Sequence, residues 1–362
     1  MRALLSRADP LVRAGRPRPA LLPENRIFAS SEARPGGRAR TRGSALQRCA
    51  VLLLVLAALA AAQLGQLNGP LAGYVYDQSA LALRPVRGVP GGATLGDPLA
   101  LAITPESGFV APRQDLAVLV STDGSTHWFR LGGNAATEVA AQGSIATPER
   151  VFFSPSGTAA ALVASGNVQV VTGLPGNPAL SGSVRLDVPA VSARQPAGWL
   201  ALSDDGAWLL LASGNGLRLV AVGAGSSVSL MPIGRSAVVA FSPGSHDAAI
   251  TSGGALTWIH DATGSASPQV VAQNPALARA VGVAFSADGA NLYAANGAGL
   301  VLSYDLAGGA GMEQSSGATA TAMEPMGDFF RLNQAGSGPL WLVDPNAGGL
   351  RVFFVPPGVT SN

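Results

Sequence analysis

The sequence has three histidines, the side chains best suited to acid–base or metal chemistry: His127, His246 and His260. Two of them precede aspartates, in His246-Asp247 and His260-Asp261. Because adjacent residues of a strand point to opposite faces, neither pair can form a dyad or chelate one metal ion without a bend. Metal sites usually need three or four clustered ligands. We therefore expect exposed or hydrogen-bonded histidines, with His246 in a solvated turn, and no metal site.

Motifs for nucleophilic catalysis and for cofactors are absent. No serine stands in G-x-S-x-G, and neither G-x-G-x-x-G nor a P-loop occurs. Asp204-Asp205-Gly206 resembles the start of a calcium loop, but the alternating acids and the closing Glu are missing, which favours a turn. The sequence thus predicts no catalytic, cofactor-binding or metal-binding residue, and no cofactor.

Paired carboxylates, as in a glycosidase, are the one chemistry that sequence spacing cannot exclude, since distant strands can converge. The candidate acids are Glu106, Glu149, Asp187 and Asp328. Aromatic residues make up only 6% of the chain, which argues against a platform for stacking sugars. The sequence leaves open whether the protein is an enzyme, and it favours a protein without catalytic activity.

The charge is divided unevenly along the chain. Residues 1–62 hold eleven Arg and three acids, whereas residues 63–362 hold twelve Arg and eighteen acids. The body is therefore mildly acidic and lacks the basic surface that nucleic-acid binding needs.

An apolar run from Cys49 to Ala62 follows Arg48 and ends in Ala60-Ala61-Ala62. This order predicts a signal peptide over residues 46–62, with an uncleaved membrane anchor as the alternative. Cys49 precedes the run, which disfavours a lipoprotein, and no Arg-Arg pair supports twin-arginine export. We expect export by the general secretory route to the periplasm or the medium.

Residues 1–45 are rich in Arg, Pro and Gly and have no apolar periodicity. Such a segment is predicted to be disordered. A start site assigned too far upstream explains it equally well.

The body, residues 63–362, contains a repeat that reads strand, turn, strand, turn, strand. Its four clear copies begin at Val151, Leu200, Val239 and Val283. Ser opens the first turn of each copy, with Gly at the fourth position of three copies, as type I turns favour. These turns begin at Ser154, Ser203, Ser242 and Ser286. A Phe precedes three of these serines, and we predict that these side chains pack in the blade core: Phe153, Phe241 and Phe285.

The four serines are 49, 39 and 44 residues apart, which is typical of four-stranded propeller blades. Looser copies start at Leu99 and Phe329. We therefore expect an all-β propeller of six blades. A further strand pair within residues 73–86 would close the ring by pairing with the C-terminal blade, or would form part of a seventh blade.

The segment FSADGANLYAANGAGLVLSYD, from Phe285, resembles a repeat of the bacterial YVTN-type and TolB-like propellers. The resemblance covers four repeats well and implies an exported bacterial propeller with WD40-like repeats, but it implies no activity. The predicted function is a non-catalytic propeller that presents a loop face or channel to a protein or small-molecule partner. The alternative is a propeller enzyme, lactonase-like or glycosidase-like, with acids or a metal at the axis.

Overall fold

The computed structural model describes residues 69–186, 198–214, 216–234, 236–308, 311–346 and 349–358. The predicted leader (1–45) and signal peptide (46–62) lie outside these residues and stay predictions, as does Asp187. All described strands belong to the compact unit Leu67–Asn362. In the described part of the chain, no helix has the length and hydropathy of a membrane span.

In the ranges that the structure describes, twenty-seven strands form seven antiparallel sheets, each built from strands consecutive in sequence. Blade 1 contains β1 (Leu71–Asp77), β2 (Ala82–Arg87) and β3 (Thr94–Leu95). Blade 2 contains β4 (Pro105–Val110), β5 (Leu116–Ser121), β6 (Thr126–Gly132) and β7 (Ala135–Val139). Blade 3 contains β8 (Arg150–Phe153), β9 (Ala159–Ala164), β10 (Asn167–Thr172) and β11 (Ala179–Arg185).

The remaining blades repeat the four-stranded pattern. Blade 4 contains β12 (Leu200–Leu202), β13 (Trp208–Ser213), β14 (Gly216–Ala221) and β15 (Ser227–Met231). Blade 5 contains β16 (Val238–Phe241), β17 (Ala248–Ser252), β18 (Ala255–His260) and β19 (Ser267–Gln273). After a short 3-10 helix (Pro275–Arg279), blade 6 contains β20 (Ala280–Phe285), β21 (Asn291–Asn296), β22 (Leu300–Asp305) and β23 (Met312–Ser315). Blade 7 contains β24 (Glu324–Met326), β25 (Phe329–Arg331), β26 (Leu340–Asp344) and β27 (Arg351–Val355).

As far as the described residues show, the core consists of seven apolar clusters, one between each pair of neighbouring blades. One of them joins the two ends of the ring, where Val75 and Val86 of blade 1 pack with Leu340, Leu342 and Val355 of blade 7. Burying each such side chain contributes roughly 1.5–3 kcal/mol. Packing between sheets therefore closes the ring, and the fold is a seven-bladed β-propeller.

The prediction of six blades is wrong. The strand pair within residues 73–86 does not join the C-terminal blade, because Thr94–Leu95 pairs with the free edge of β2 and completes a separate three-stranded sheet. The ends of the ring are linked by an isolated bridge between Asp77 and Ala335, not by a shared sheet. The seventh blade also begins earlier than its predicted copy, at Glu324 rather than Phe329.

The repeat turns follow the predicted pattern with one refinement. The N–H groups of Ala159, Trp208 and Asn291 donate to the hydroxyls of Ser154, Ser203 and Ser286, at 3.1, 3.0 and 2.9 Å. In two copies the hydroxyl also donates to an Asp two residues on, at 2.5 Å in both Ser203–Asp205 and Ser286–Asp288. The turn is thus held by a side-chain pair as well as by the backbone.

Candidate functional site

The innermost strands of the blades surround a central channel of about 1360 Å³. Residues from all seven blades line it, and its middle is mainly apolar, with Val151, Phe152, Ala240 and Val283 among the lining side chains. Val151, Phe152 and Ala240 are only partly buried, because the innermost strand faces the axis, whereas Val283 is buried and also packs in the core between blades 5 and 6.

The channel has two chemically different mouths. The turns that follow the inner strands of blades 2 to 7 meet at one end, where the N–H of Gly327 in blade 7 donates to Pro112 O of blade 2 at 2.8 Å. We call this end the turn mouth. The opposite end, where β4 begins at Pro105 and β8 at Arg150, is the loop mouth. Ser121 pairs with Pro105, so the turn between β5 and β6 also lies at the loop mouth.

Three of the four candidate acids line the channel, but they do not all lie at the same mouth. Glu106 and Glu149 stand at the loop mouth, on adjacent blades, and both are exposed. Asp328 follows β24 and lies at the turn mouth. Since a strand rises about 3.3 Å per residue, an inner strand of four residues separates the mouths by roughly 13 Å. Asp328 therefore cannot pair with Glu149 at the spacing of a glycosidase, about 5–9.5 Å.

Sequence reasoning missed a charged group in the channel wall. Arg331 of β25 is nearly buried, and its guanidinium donates to Glu324 Oε2 through Nε at 3.0 Å and also through Nη2. Its Nη1 donates to Gln334 Oε1 at 2.9 Å. A lone Arg in the apolar run of β25 was the available signal, since Glu324 and Arg331 face each other in the register.

The three repeat phenylalanines lie where core and channel meet. Phe241 and Phe285 are 2% and 6% exposed and belong to clusters between blades, which agrees with their predicted core role. Phe153 is only half-buried, and all three also line the channel.

The histidines form pairs across strands and blades, not with their sequence neighbours. His246 Nε2 lies 2.9 Å from Asp205 Oδ2 of the preceding blade, and His260 Nδ1 lies 3.5 Å from Asp247 Oδ2. Burial raises the pKa of Asp205, but hydrogen bonds from Ser203, Ala207 and His246 outweigh it and hold that pKa below its usual range.

His127 makes two short contacts on the outer part of blade 2. Its Nε2 lies 2.7 Å from Ser125 Oγ, and its Nδ1 lies 2.7 Å from Glu138 Oε1. Within the described ranges, no three His, Cys, Asp or Glu side chains cluster as a metal site would require.

Comparison with known proteins supports the fold but indicates no activity. No family model and no curated protein matches the chain. A candidate 6-phosphogluconolactonase from Bacteroides uniformis ATCC 8492 superposes with a TM-score of 0.52 at 15% identity, covering 78% of this chain and 95% of that one. A functionally unknown protein from Desulfotomaculum acetoxidans DSM 771 gives 0.50 at 12% identity, covering 79% and 100%. Likeness at these identities supports the propeller architecture alone.

A third structure is Chaetomium thermophilum Sqt1 bound to the N-terminus of ribosomal protein L10, with a TM-score of 0.47 at 17% identity. The superposition covers 80% of this chain and 91% of the Sqt1 chain.

Among the described residues, the channel combines an apolar wall of strands with the Glu324–Arg331 ion pair and with acids at both mouths. Such a combination of apolar surface and few polar groups is typical of binding sites.

Proposed function

We propose that this protein is an exported binding propeller that takes a small molecule or a protein segment into its channel through the loop mouth. The channel carries the proposal, because about 1360 Å³ of apolar-lined space exceeds the roughly 300–1,000 Å³ of ordinary ligand pockets. Among the described residues at the loop mouth, the acids Glu106, Glu149 and Glu324 outnumber Arg150 and Arg331 by one, which would favour a ligand with a positively charged end.

The binding proposal is tested by narrowing the channel. Ala240 lines it and is half-buried, so Ala240→Trp should fill part of its width. Wild-type protein is screened against a metabolite collection by thermal shift, and each stabilising compound is retested on the variant. We expect channel ligands to raise the Tm of the wild type and not of Ala240→Trp.

The matched control is Val228→Trp, on the exposed outer strand β15. Ser107→Trp, also on the channel wall, replaces Ala240→Trp if that variant does not fold. Compounds that stabilise the channel variants as well as the wild type would place their site elsewhere and would refute channel binding.

Export is the second part of the proposal, and the apolar run Cys49 to Ala62 supports it. N-terminal sequencing of protein recovered outside the cytoplasm should begin near Gln63. An exported chain that still contains Cys49 would refute cleavage at this site.

A channel enzyme is the second candidate, because Glu106 and Glu149 stand on adjacent blades at the same mouth. Hydrolysis of lactones or aryl glycosides that is lost in Glu149→Gln, with ligand stabilisation retained, would favour it over the binding role.

A further inference from the structure

We propose that the channel binds a single-chain amphiphile, with a cationic head at the loop mouth and an aliphatic tail that extends toward the turn mouth. The inference rests on the proposed binding function and names the chemical class of its ligand. A division of the channel wall into two halves of different chemistry carries it.

The half of the channel next to the turn mouth is aromatic. In blades 2 to 6 a large apolar side chain stands at or next to the last residue of the inner strand, and in blade 7 one begins the second strand. Five of the six are phenylalanines, and all of them line the channel: Phe109, Phe153, Leu202, Phe241, Phe285 and Phe329. We call this ring of side chains the aromatic half.

The aromatic half presents apolar surface to the axis. Phe109, Phe153 and Phe329 are only half-buried, so much of each ring is left to the channel. Prolines, which have no backbone N–H to donate, line the adjoining turn mouth: Pro112, Pro155, Pro243 and Pro345. This end of the channel therefore suits an aliphatic chain better than a polar group.

The turn mouth has no excess charge among the residues that the structure describes. Its charged lining side chains are Arg113 and Asp328, one of each sign. Arg113 Nη2 also lies 2.9 Å from Asp115 Oδ2. Nothing described at this mouth would select a charged head.

The loop mouth differs, because it combines exposed acids with a smaller number of bases. Arg331 is already paired with Glu324. Within the described ranges, Glu106, Glu149 and Arg150 line the channel there and form no ion pair. Two unpaired carboxylates against one unpaired guanidinium favour a cationic head.

The order of the two halves sets the orientation of the ligand. A charge costs much free energy where it leaves water without a partner, so the head stays at the exposed loop mouth. Each methylene of the tail is stabilised when it leaves water, and the aromatic half accepts it. An inner strand of four residues separates the mouths by roughly 13 Å, so one extended chain can reach from the head to the phenylalanines.

Calorimetric titration of the purified protein tests the ligand class. The probes are hexyl-, octyl- and decyltrimethylammonium, each kept below the concentration at which it forms micelles. We expect Kd to fall about fourfold for each added methylene. Decyl sulfate should bind on the order of tenfold more weakly than decyltrimethylammonium, since attraction and repulsion at exposed acids each change Kd several-fold.

Two variants separate the head from the tail. Glu106→Gln should weaken all three ammonium ions by about two- to fivefold, independent of tail length. Phe109→Asn should weaken the decyl ion more than the hexyl ion, because it makes the aromatic half more polar; Phe329→Asn replaces it if it does not fold. Glu138→Gln and Phe354→Asn, on exposed outer strands, are the matched controls and should bind as the wild type does.

Three results would overturn the inference. They are a Kd that does not change with tail length, tighter binding of decyl sulfate than of decyltrimethylammonium, and a larger effect of Phe109→Asn on the hexyl ion than on the decyl ion. The last result would place the head among the phenylalanines, held by cation–π attraction.

Ala240→Trp separates this inference from the binding proposal. Ammonium ions that bind this variant as tightly as the wild type lie outside the channel, and the inference fails. If metabolites that require an open channel are found while no ammonium ion binds, the ligand class is wrong and the binding proposal stands. If neither metabolites nor ammonium ions bind the channel, both are wrong.

Discussion

The carboxylate of Asp204 holds the first turn of the preceding blade through Ser156. Its Oδ1 accepts the Ser156 N–H at 2.7 Å and the Ser156 hydroxyl at 2.6 Å. Its Oδ2 accepts the N–H of Gly244, in the following blade, at 2.8 Å. One side chain at the turn mouth therefore connects blades 3, 4 and 5.

Asp204→Ala should consequently destabilise the propeller by about 2 kcal/mol, because bonds to a charged acceptor contribute more than neutral ones. Asp305→Ala is the matched control, since the Asp305 carboxylate accepts the N–H of Ala307, in its own turn, and bonds to no other blade among the described residues. Urea unfolding of both variants measures the difference. Equal midpoints would mean that the contacts between blades at Asp204 add nothing to stability.

A buried ion pair holds together the three-stranded blade. Arg84 Nη1 lies 3.1 Å from Asp77 Oδ2, with side-chain exposures of 7% and 2%, and Arg84 Nε donates to Gly96 O. Asp77→Ala leaves a buried guanidinium without its counter-ion and should cost about 3 kcal/mol. The double variant Asp77→Leu with Arg84→Met removes both charges and should recover most of the loss.

Thermal and urea unfolding of these two variants test the pair. If the double variant is as unstable as Asp77→Ala, the loss comes from packing and not from the uncompensated charge. Two variants that both match the wild type would show that the three-stranded blade does not depend on this contact.

The repeat strands and their turns could be predicted because they are apolar and punctuated by Ser and Gly. The outer strands were missed since they are exposed and polar, as in Ser267–Gln273 and Met312–Ser315. Blade 1 was recognised in the sequence only as a strand pair, with a seventh blade as the alternative, because it has only three described strands and the last has two residues.

The site was less predictable than the fold. Glu106 and Glu149 lie at one mouth and Asp328 lies at the other. This placement depends on the direction in which each inner strand runs within the ring. The pairing of His246 with Asp205 joins two blades, so no spacing along the chain reveals it. The contact of His127 with Ser125 was readable from their two-residue spacing, but Glu138 required the register of β6 and β7.

Acid should weaken the turn held by Asp288. Two hydrogen bonds lower the pKa of the Asp288 carboxyl from its ordinary 3.8. The larger effect comes from the Ser286 hydroxyl and the smaller from the Ala290 N–H, and both donate to the carboxylate. The unfolded chain therefore binds a proton first as the pH falls, so this stabilisation is present above about pH 4 and is lost below it.

Asp288→Asn and Ser286→Ala should each flatten the fall of unfolding free energy between about pH 4 and pH 2 relative to the wild type. Urea unfolding across this range provides the curves. Parallel curves for the wild type and both variants would show that Asp288 has the same pKa in the folded and unfolded states.

Two turn glycines in equivalent positions should respond differently to a methyl group. Gly206 and Gly289 have φ of +70° and +71°, in the left-handed region that residues with a Cβ disfavour. A Cβ on Gly206 would lie 2.6 Å from Thr172 Cγ2 of the preceding blade, whereas one on Gly289 would lie 3.1 Å from Ser242 Oγ. Gly289→Ala should therefore cost about 1 kcal/mol, mainly from the backbone, and Gly206→Ala should cost more.

Gly223 is the control, because its φ is not positive and a Cβ there would meet no atom of the described residues within 4 Å. Gly223→Ala should change stability by less than about 0.5 kcal/mol. The predicted order of melting temperatures is thus Gly223→Ala, then Gly289→Ala, then Gly206→Ala as the lowest. If Gly206→Ala melts with Gly289→Ala, the contact between Gly206 and Thr172 yields without cost, and the two turns are equivalent in energy as well as in backbone conformation.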